Sequence, residues 1–235
     1  MAGIKLFVSI LTLTIIFSSA FSKPLKCTFR YKQNFYVCFI FDHPNNFDGS
    51  QITVDSIEGK HLHDKMNNDV VAVRFVKVKN LGFLPKDLDK FFPNLIGIGT
   101  TNANLKELGQ NDLKAFKNLK IISFGHNQLT TIEENMFKKN LGLEAIFLSQ
   151  NPITNIDTDA FEGLSKLKIL GLSGLKCREE LGIGRNVEGV KKLVEKVKKG
   201  ACKKASTISI FVEIFKIFFI DEKEEEDEQQ FFMNF

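Results

Sequence analysis

Histidine, cysteine, serine and paired carboxylates are the side chains of this 235-residue chain whose types could do chemistry. The histidines are His43, His61, His63 and His126, and their one cluster is His61-Leu-His63-Asp64 in a polar stretch. A zinc site needs three or four ligands brought together, and no Cys-x-x-Cys accompanies this cluster, so no metal is expected. Ser173 stands in Gly171-Leu-Ser-Gly174 without the Gly-x-Ser-x-Gly of a nucleophile elbow. There is no His-Glu-x-x-His, and no glycine-rich phosphate loop lies between a strand and a helix. Glu133-Glu134 and Asp157/Asp159 could serve as acid and base only if opposed across a cleft, and neighbouring acidic residues in loops are ordinarily solvated. The expectation is a protein with no catalytic residue, no cofactor and no metal. Cys27, Cys38, Cys177 and Cys202 remain, and their chemistry depends on the compartment.

The start of the chain addresses that question. Lys5 provides a positive start, Leu6 to Phe17 an apolar run broken only by Ser and Thr, and Ser18-Ser19-Ala20 a small-residue cleavage site, with Ala20-Phe21-Ser22 an alternative. Roughly twelve apolar-rich residues are too few to span a bilayer, so residues 1–22 read as a cleaved secretory signal and the protein as secreted and extracellular. In that oxidising setting four cysteines imply disulfide bonds, of which three connectivities are possible. The formal charge of +4 hides an asymmetry: with Lys5 and the acidic run Asp221–Glu228 set aside, about +9 falls on the rest. No basic-aromatic motif accompanies the lysines, so no nucleic acid partner is expected.

The elements that would position any site come from a repeat. Leu95, Leu119, Leu143 and Leu167 stand 24 residues apart, followed at the fourth position by Ile98, Ile122, Ile146 and Leu170. The sixth position holds Thr100, Phe124, Leu148 and Leu172, and the eleventh Leu105, Leu129, Ile153 and Cys177. A period in this range marks a solenoid, because each unit hides its apolar face only by stacking on neighbours. Alternation at Ile122 and Phe124 gives each unit a strand. Asn127 and Asn151 fill the ninth slot, where a short amide tolerates a left-handed turn and bonds nearby backbone. Phe137 and Phe161 are expected to plug the side opposite the strands.

This pattern, LxxLxLxxNxLxxLxxxxFxxL, resembles a leucine-rich repeat. Thr100 in the sixth slot and Ala103 and Leu175 in the Asn slot depart from it, and the end turns are expected to be looser. The resemblance implies an α/β solenoid: a horseshoe segment of about four to five repeats with parallel strands on its concave face, capped at both ends. Cysteine-stapled flanks are what secreted members carry, so it implies the local pairs Cys27–Cys38 and Cys177–Cys202.

Ahead of the repeats, Phe35 to Phe41 and Ile52 to Ile57 read as strands around the loop Asp42–Gly49, and Val70 to Val78 as the strand that begins the solenoid. The frame there is ambiguous. Leu81 and Leu84 keep the 24-residue count, whereas Val70, Val73, Phe75, Leu88 and Phe91 fit one residue earlier, so an inserted residue or bulge is expected. Ile52 to Gly59 before Asp69-Val-Val, with Leu84-Pro-Lys-Asp-Leu and Phe91-Phe-Pro-Asn-Leu95, is similar to small secreted leucine-rich repeat proteins of dipteran insects. At the other flank Val187, Val190, Leu193, Val194 and Val197 form an apolar helical stripe between Arg185 and Lys204, with a lysine-dense opposite face.

Five segments follow: 1–22 signal, 23–69 N-terminal cap, 70–176 repeats, 177–204 C-terminal cap, and 205–235 an apolar then acidic tail expected to be flexible. The apolar part, Ile208 to Ile220, is too short to span a membrane as a helix. Three readings stand for it: a helix covering the solenoid end, a self-association segment, or residues appended by an error in the gene's delineation.

Positions three, five and seven of each unit point away from the core. They put an apolar column of Ile121, Ala145 and Ile169 beside Ser123 and the single ring of Phe147, with Lys120, Glu144 and Lys168 along the flank. The partner-binding residues expected are Phe147, Ile121, Ser123, Ala145, Ile169, Lys120 and Lys168. The function implied by the resemblance is an extracellular protein-binding module in recognition or defence, its partner a protein. The alternative is a structural, self-associating protein, a homo-oligomer assembled through the tail and this face.

Overall fold

The computed structural model describes residues 21–32, 34–41, 47–177 and 180–202. Two strands, β1 (Phe21–Lys26) and β2 (Thr28–Lys32), lead into β3 (Phe35–Phe41), and β4 (Ile52–Glu58) and β5 (Ala72–Val76) follow. The repeats contribute a short helix α1 (Leu88–Phe91), β6 (Gly97–Thr100), a second short helix α2 (Gln110–Leu113), β7 (Ile121–Ser123), β8 (Thr131–Ile132), β9 (Ala145–Phe147), β10 (Asn155–Ile156) and β11 (Ile169–Leu172). β12 (Gly182–Gly184) and α3 (Val187–Lys198) complete the order.

The main sheet has eight strands in the order β12-β11-β9-β7-β6-β5-β3-β2, parallel from β3 to β11 and antiparallel at both edges. Its register is the 24-residue period itself: Ile98, Ile122, Ile146 and Leu170 pair in one row. These residues are buried on the inner face, in a core that runs unbroken from Leu25 to Cys202. Between β5 and β6 the pairing is Val73 with Ile98, a step of 25, so the earlier frame holds in the strand. Leu81 and Leu84, both buried, keep the later frame, which places the extra residue between Val78 and Leu81. Beyond it Phe92 is fully buried and Phe91 only partly, so Phe92 fills the core position for which the earlier frame names Phe91.

The turn after each strand corrects one assignment. The left-handed residue is the eighth of the unit: Lys77, Asn102, His126, Gln150 and Gly174 all have φ between 50° and 70°. The ninth-slot asparagine is instead a hydrogen-bonding post. Asn127 Oδ1 accepts from the backbone N–H of Ala103 and Leu105, both 3.1 Å, and its Nδ2 donates to the carbonyls of Thr100, Phe124 and Gly125. Asn151 repeats the pattern one layer on, accepting from Leu129 N–H and donating to Phe124, Leu148 and Ser149 carbonyls. The turn at Ala103 lacks its own asparagine, yet Asn127 of the next layer satisfies two of its N–H groups. The Thr100 hydroxyl is buried without a hydrogen-bond partner, a local cost of placing Thr in an apolar slot.

Opposite the strands, Phe137 and Phe161 stack with centroids 5.8 Å apart, both buried. Asn140, 1% exposed, ties that side together by donating to the carbonyls of Leu113 and Phe116.

Both ends are stapled by the local disulfides Cys27–Cys38 and Cys177–Cys202. At the N-terminal end β1 pairs in parallel with β4 as a separate two-stranded sheet, while β3 joins the repeat sheet beside β5. Gly59 turns this corner at φ 141°, where a Cβ would lie 2.2 Å from the Cys27 carbonyl oxygen; only glycine fits. β1 begins at Phe21, within the segment 1–22 read as a signal, and residues 1–20 lie outside the described residues.

At the other end α3 starts at the N-cap Asn186, whose side chain accepts from Gly189 N–H at 2.8 Å. Val190, Leu193 and Val197 are buried against the last repeat. Val187 is 51% exposed, so the buried stripe begins one turn later than the spacing predicts. The tail 205–235 lies outside the described residues.

Candidate functional site

The outer face of the main sheet carries the residues expected to bind a partner, and the register assembles them. Gly97, Ile121, Ala145 and Ile169 form one row, and Gly99, Ser123, Phe147 and Gly171 the next. Accessibility along these rows is uneven. Ala145, between Ile121 and Ile169, is fully buried, and Ile121 and Ser123 are 3% and 6% exposed. Phe147 and Ile169 keep partial exposure and carry the accessible apolar area. A Cβ on Gly171 would lie 3.1 Å from Ser149 Oγ and 3.3 Å from Phe147 Cδ1, so the ring lies close over the glycine beside it.

Lys120, Glu144 and Lys168 form a ladder along the flank. Glu144 Oε2 lies 2.6 Å from Lys168 Nζ and Oε1 3.4 Å from Lys120 Nζ, with the carboxylate 17% exposed and both lysines more than half exposed. The hydrogen bond from Lys168, joined by the contact with Lys120, holds the Glu144 carboxyl below its ordinary value despite the opposing effect of burial. Because the folded state lowers this pKa, its contribution to stability is complete above the unfolded glutamate value of about 4.3 and is lost as pH falls through the lowered folded value. Glu144→Gln should therefore flatten the acid limb of a stability profile while costing less than about 1 kcal/mol at neutral pH. Urea midpoints between pH 3 and 7 check this, and an unchanged acid limb would show the ladder to be energetically idle.

The face extends beyond the repeats in a way the sequence reading missed. Phe35, Val37, Phe39 and Phe41 of β3 lie on the face opposite the core and with Ala72 and Val76 of β5 form a second apolar cluster, in which Val37, Phe39 and Ala72 are buried and Phe35, Phe41 and Val76 keep partial exposure. Phe39 and Phe41 stack at 6.5 Å, and the guanidinium of Arg30 lies 5.9 Å from the Phe41 ring centroid. Arg74 stands in register between Phe39 and Gly99, which links this platform to the row of Phe147. The available signal was the run Phe35–Phe41 itself: seven apolar residues in one strand need cover on two faces, and the core takes only one. On the described outer-face strand positions the charged side chains are Arg30, Lys32 and Arg74, with no carboxylate among them.

The remaining candidates are structural. His61 stacks on Phe29 at 3.9 Å, its Nδ1 is 3.0 Å from the Tyr36 hydroxyl, and its Nε2 is 3.0 Å from Asn67 Oδ1. Both ring nitrogens thus serve the N-terminal cap. Ser173 is 1% exposed, its hydroxyl donating to Ser149 Oγ at 3.0 Å. Among the described residues no three His, Cys, Asp or Glu gather as a metal site would require. Among them, too, no helix is long and apolar enough to cross a membrane.

No curated protein matches the sequence. A solved structure described as "Crystal structure of TLR13-ssRNA13 complex" contains a chain 25% identical, aligned with a TM-score of 0.40 over 45% of this chain and 15% of that one. This chain thus spans a small part of that protein's length. Residues 117–174, the layers that carry both asparagine posts and the Phe137–Phe161 stack, match the leucine rich repeat family.

Proposed function

We propose that this protein is an extracellular, non-catalytic binding module that recognises a protein partner through the outer face of its sheet. The observation that carries the reading is the accessible apolar area on that face, Phe35, Phe41 and Val76 at one end and Phe147 and Ile169 at the other, with Arg30, Lys32 and Arg74 as the charged strand positions. A partner that complements it presents apolar side chains flanked by carboxylates, since like charges facing Arg30, Lys32 and Arg74 would repel. The leader-like segment 1–22 and the two disulfides support export, and leucine-rich repeats generally serve protein binding, which supports a role in recognition or defence.

Phe147 is the anchor to test, because a few aromatic residues dominate most interfaces. It lies between the core residues Ile146 and Leu148 and turns outward by strand alternation, so Phe147→Ser should leave folding nearly unchanged. Binding should weaken by about 2 kcal/mol or more, roughly thirtyfold. Lys120→Glu, at the flank, should act more gently, through association rate and salt dependence. The measurement is affinity for a partner captured from extracellular fluid by the wild-type module. Wild-type affinity in well-folded Phe147→Ser protein would move the site off this face, and a tail-dependent oligomer as the sole complex would favour self-association instead.

A further inference from the structure

We infer that the edge of β2 at Tyr31 receives an extended segment of a partner protein in which acidic and apolar residues alternate. The main sheet ends at β2, which among the described residues pairs with β3 alone. Lys32 faces Phe35 with two residues between them, so Thr28, Arg30 and Lys32 exchange hydrogen bonds with β3. Phe29 and Tyr31 therefore aim their N–H and C=O groups at the outer edge. At the start of that edge the place is taken, because Cys27 N–H donates to the Glu58 carbonyl at 2.7 Å. Gly59, at φ 141°, then turns the chain away, and the His61 ring covers the Phe29 ring at 3.9 Å. Beyond it Tyr31 is 42% exposed, and no described strand continues the line that β4 holds beside Cys27. An unpaired strand edge is a template for a further strand.

The side chains beside this edge select the occupant. Tyr31 lies 5.2 Å from Tyr36, whose hydroxyl accepts the Leu62 N–H at 3.0 Å, and the turn in which Lys65 N–H donates to the Leu62 carbonyl brings Met66 to the same end. Five large apolar side chains stand exposed among the described residues, and Tyr31, Leu62 at 37% and Met66 at 65% are three of them. Single exposed apolar residues need no explanation, but three gathered beside an open strand edge make a contact surface. On the opposite face of β2, Arg30 and Lys32 stand beside Val37 and Phe35. The other charges nearby cancel: Lys65 is ion-paired with Asp69 at 2.9 Å, Lys26 stands opposite Glu58, and exposed Lys60 and Asp64 offset each other. Arg30 and Lys32 thus set the sign of the edge. A second copy does not fit, because antiparallel pairing of two β2 edges about Tyr31 sets Arg30 against Lys32 twice, and like charges directly opposite are destabilising. A strand with carboxylates toward Arg30 and Lys32 and apolar side chains toward Tyr31 and Leu62 complements both faces at once.

The test is calorimetric titration of the full chain with the acetylated peptide Glu-Val-Glu-Val-Glu-Val-Glu. Replacing every Glu of the peptide by Lys should weaken binding about tenfold or more, and so should Arg30→Glu in the protein, at an exposed position where the fold does not depend on the side chain. Methylating one central backbone nitrogen of the peptide should weaken binding about tenfold, whereas methylating its neighbour should change it less than about twofold, because successive N–H groups of a strand point to opposite edges. Phe147→Ser protein should bind the peptide as the wild type does, so this edge and the repeat face stand or fall separately. Four results overturn the inference: no saturable binding, wild-type affinity in Arg30→Glu, equal effects of methylation at neighbouring nitrogens, which would mean attraction of charge without strand addition, or loss of binding in Phe147→Ser, which would assign the peptide to the repeat face.

Discussion

Truncating Phe137 to Ala should destabilise the protein by about 4–5 kcal/mol, and Phe161→Ala by about 3 kcal/mol, in the range of large-to-small changes in packed cores. The two rings are one stack, 5.8 Å apart and nearly parallel, and belong to equivalent positions of successive units. Their surroundings differ. Phe137 is fully buried between layers, so its removal leaves a cavity with ordered walls and little room to collapse. Phe161 is 4% exposed and also lines the groove under α3, so side chains there can move into the space it vacates. The order of the two losses therefore reports the layering. Equilibrium urea unfolding with matched m-values measures it, and a loss below about 1 kcal/mol for Phe137→Ala would mean that the ring is not sandwiched between repeats. The double variant should lose less than the sum, because each single change already removes the stack.

The repeat was legible because its period is a geometric constraint expressed in residue type. A leucine or isoleucine every 24 positions at slots one and four leaves one stacking register, and Ile98, Ile122, Ile146 and Leu170 adopt it. The local disulfides were legible only through the family resemblance, since spacing alone left three connectivities. What escaped depends on neighbours in space. The left-handed eighth position is held by Lys, Asn, His, Gln and Gly in turn, so no residue type advertises it; the stacked turns impose it. The platform on β3 was hidden because apolar residues on both faces erase the alternation that tells inside from outside. The near-complete burial of Ile121, Ser123 and Ala145, each on a central strand with neighbours on both sides, is something the outward direction of a strand position does not disclose. Val187 shows the converse: the helical stripe includes it, yet it is 51% exposed.

Asn127→Asp, a change of one atom at a buried post, should cost about 3–5 kcal/mol at neutral pH, as breaking a buried hydrogen-bonded network does. The asparagine spends its two functions on different partners. Oδ1 receives two N–H groups of the preceding turn, and Nδ2 faces three carbonyl oxygens at 3.1, 3.1 and 2.8 Å. A carboxylate keeps the first set but turns an oxygen toward three others at a residue 2% exposed. Protonated, the acid donates to only one of the three, so the neutral form is merely poor while the charged form is repelled. The pKa of the introduced carboxyl should therefore rise in the folded state. The sign follows from proton binding: between the unfolded value near 3.9 and the raised folded value the native state holds the extra proton, and stability falls as pH rises through that window. Asn127→Ala removes the charge along with the hydrogen bonds and should cost about 2–4 kcal/mol, with the pH dependence of the wild type. Comparing the two variants across pH 4 to 8 separates a post that holds the turns by directed hydrogen bonds from one that merely fills space. Parallel stability profiles for Asp and Ala would sink the first account.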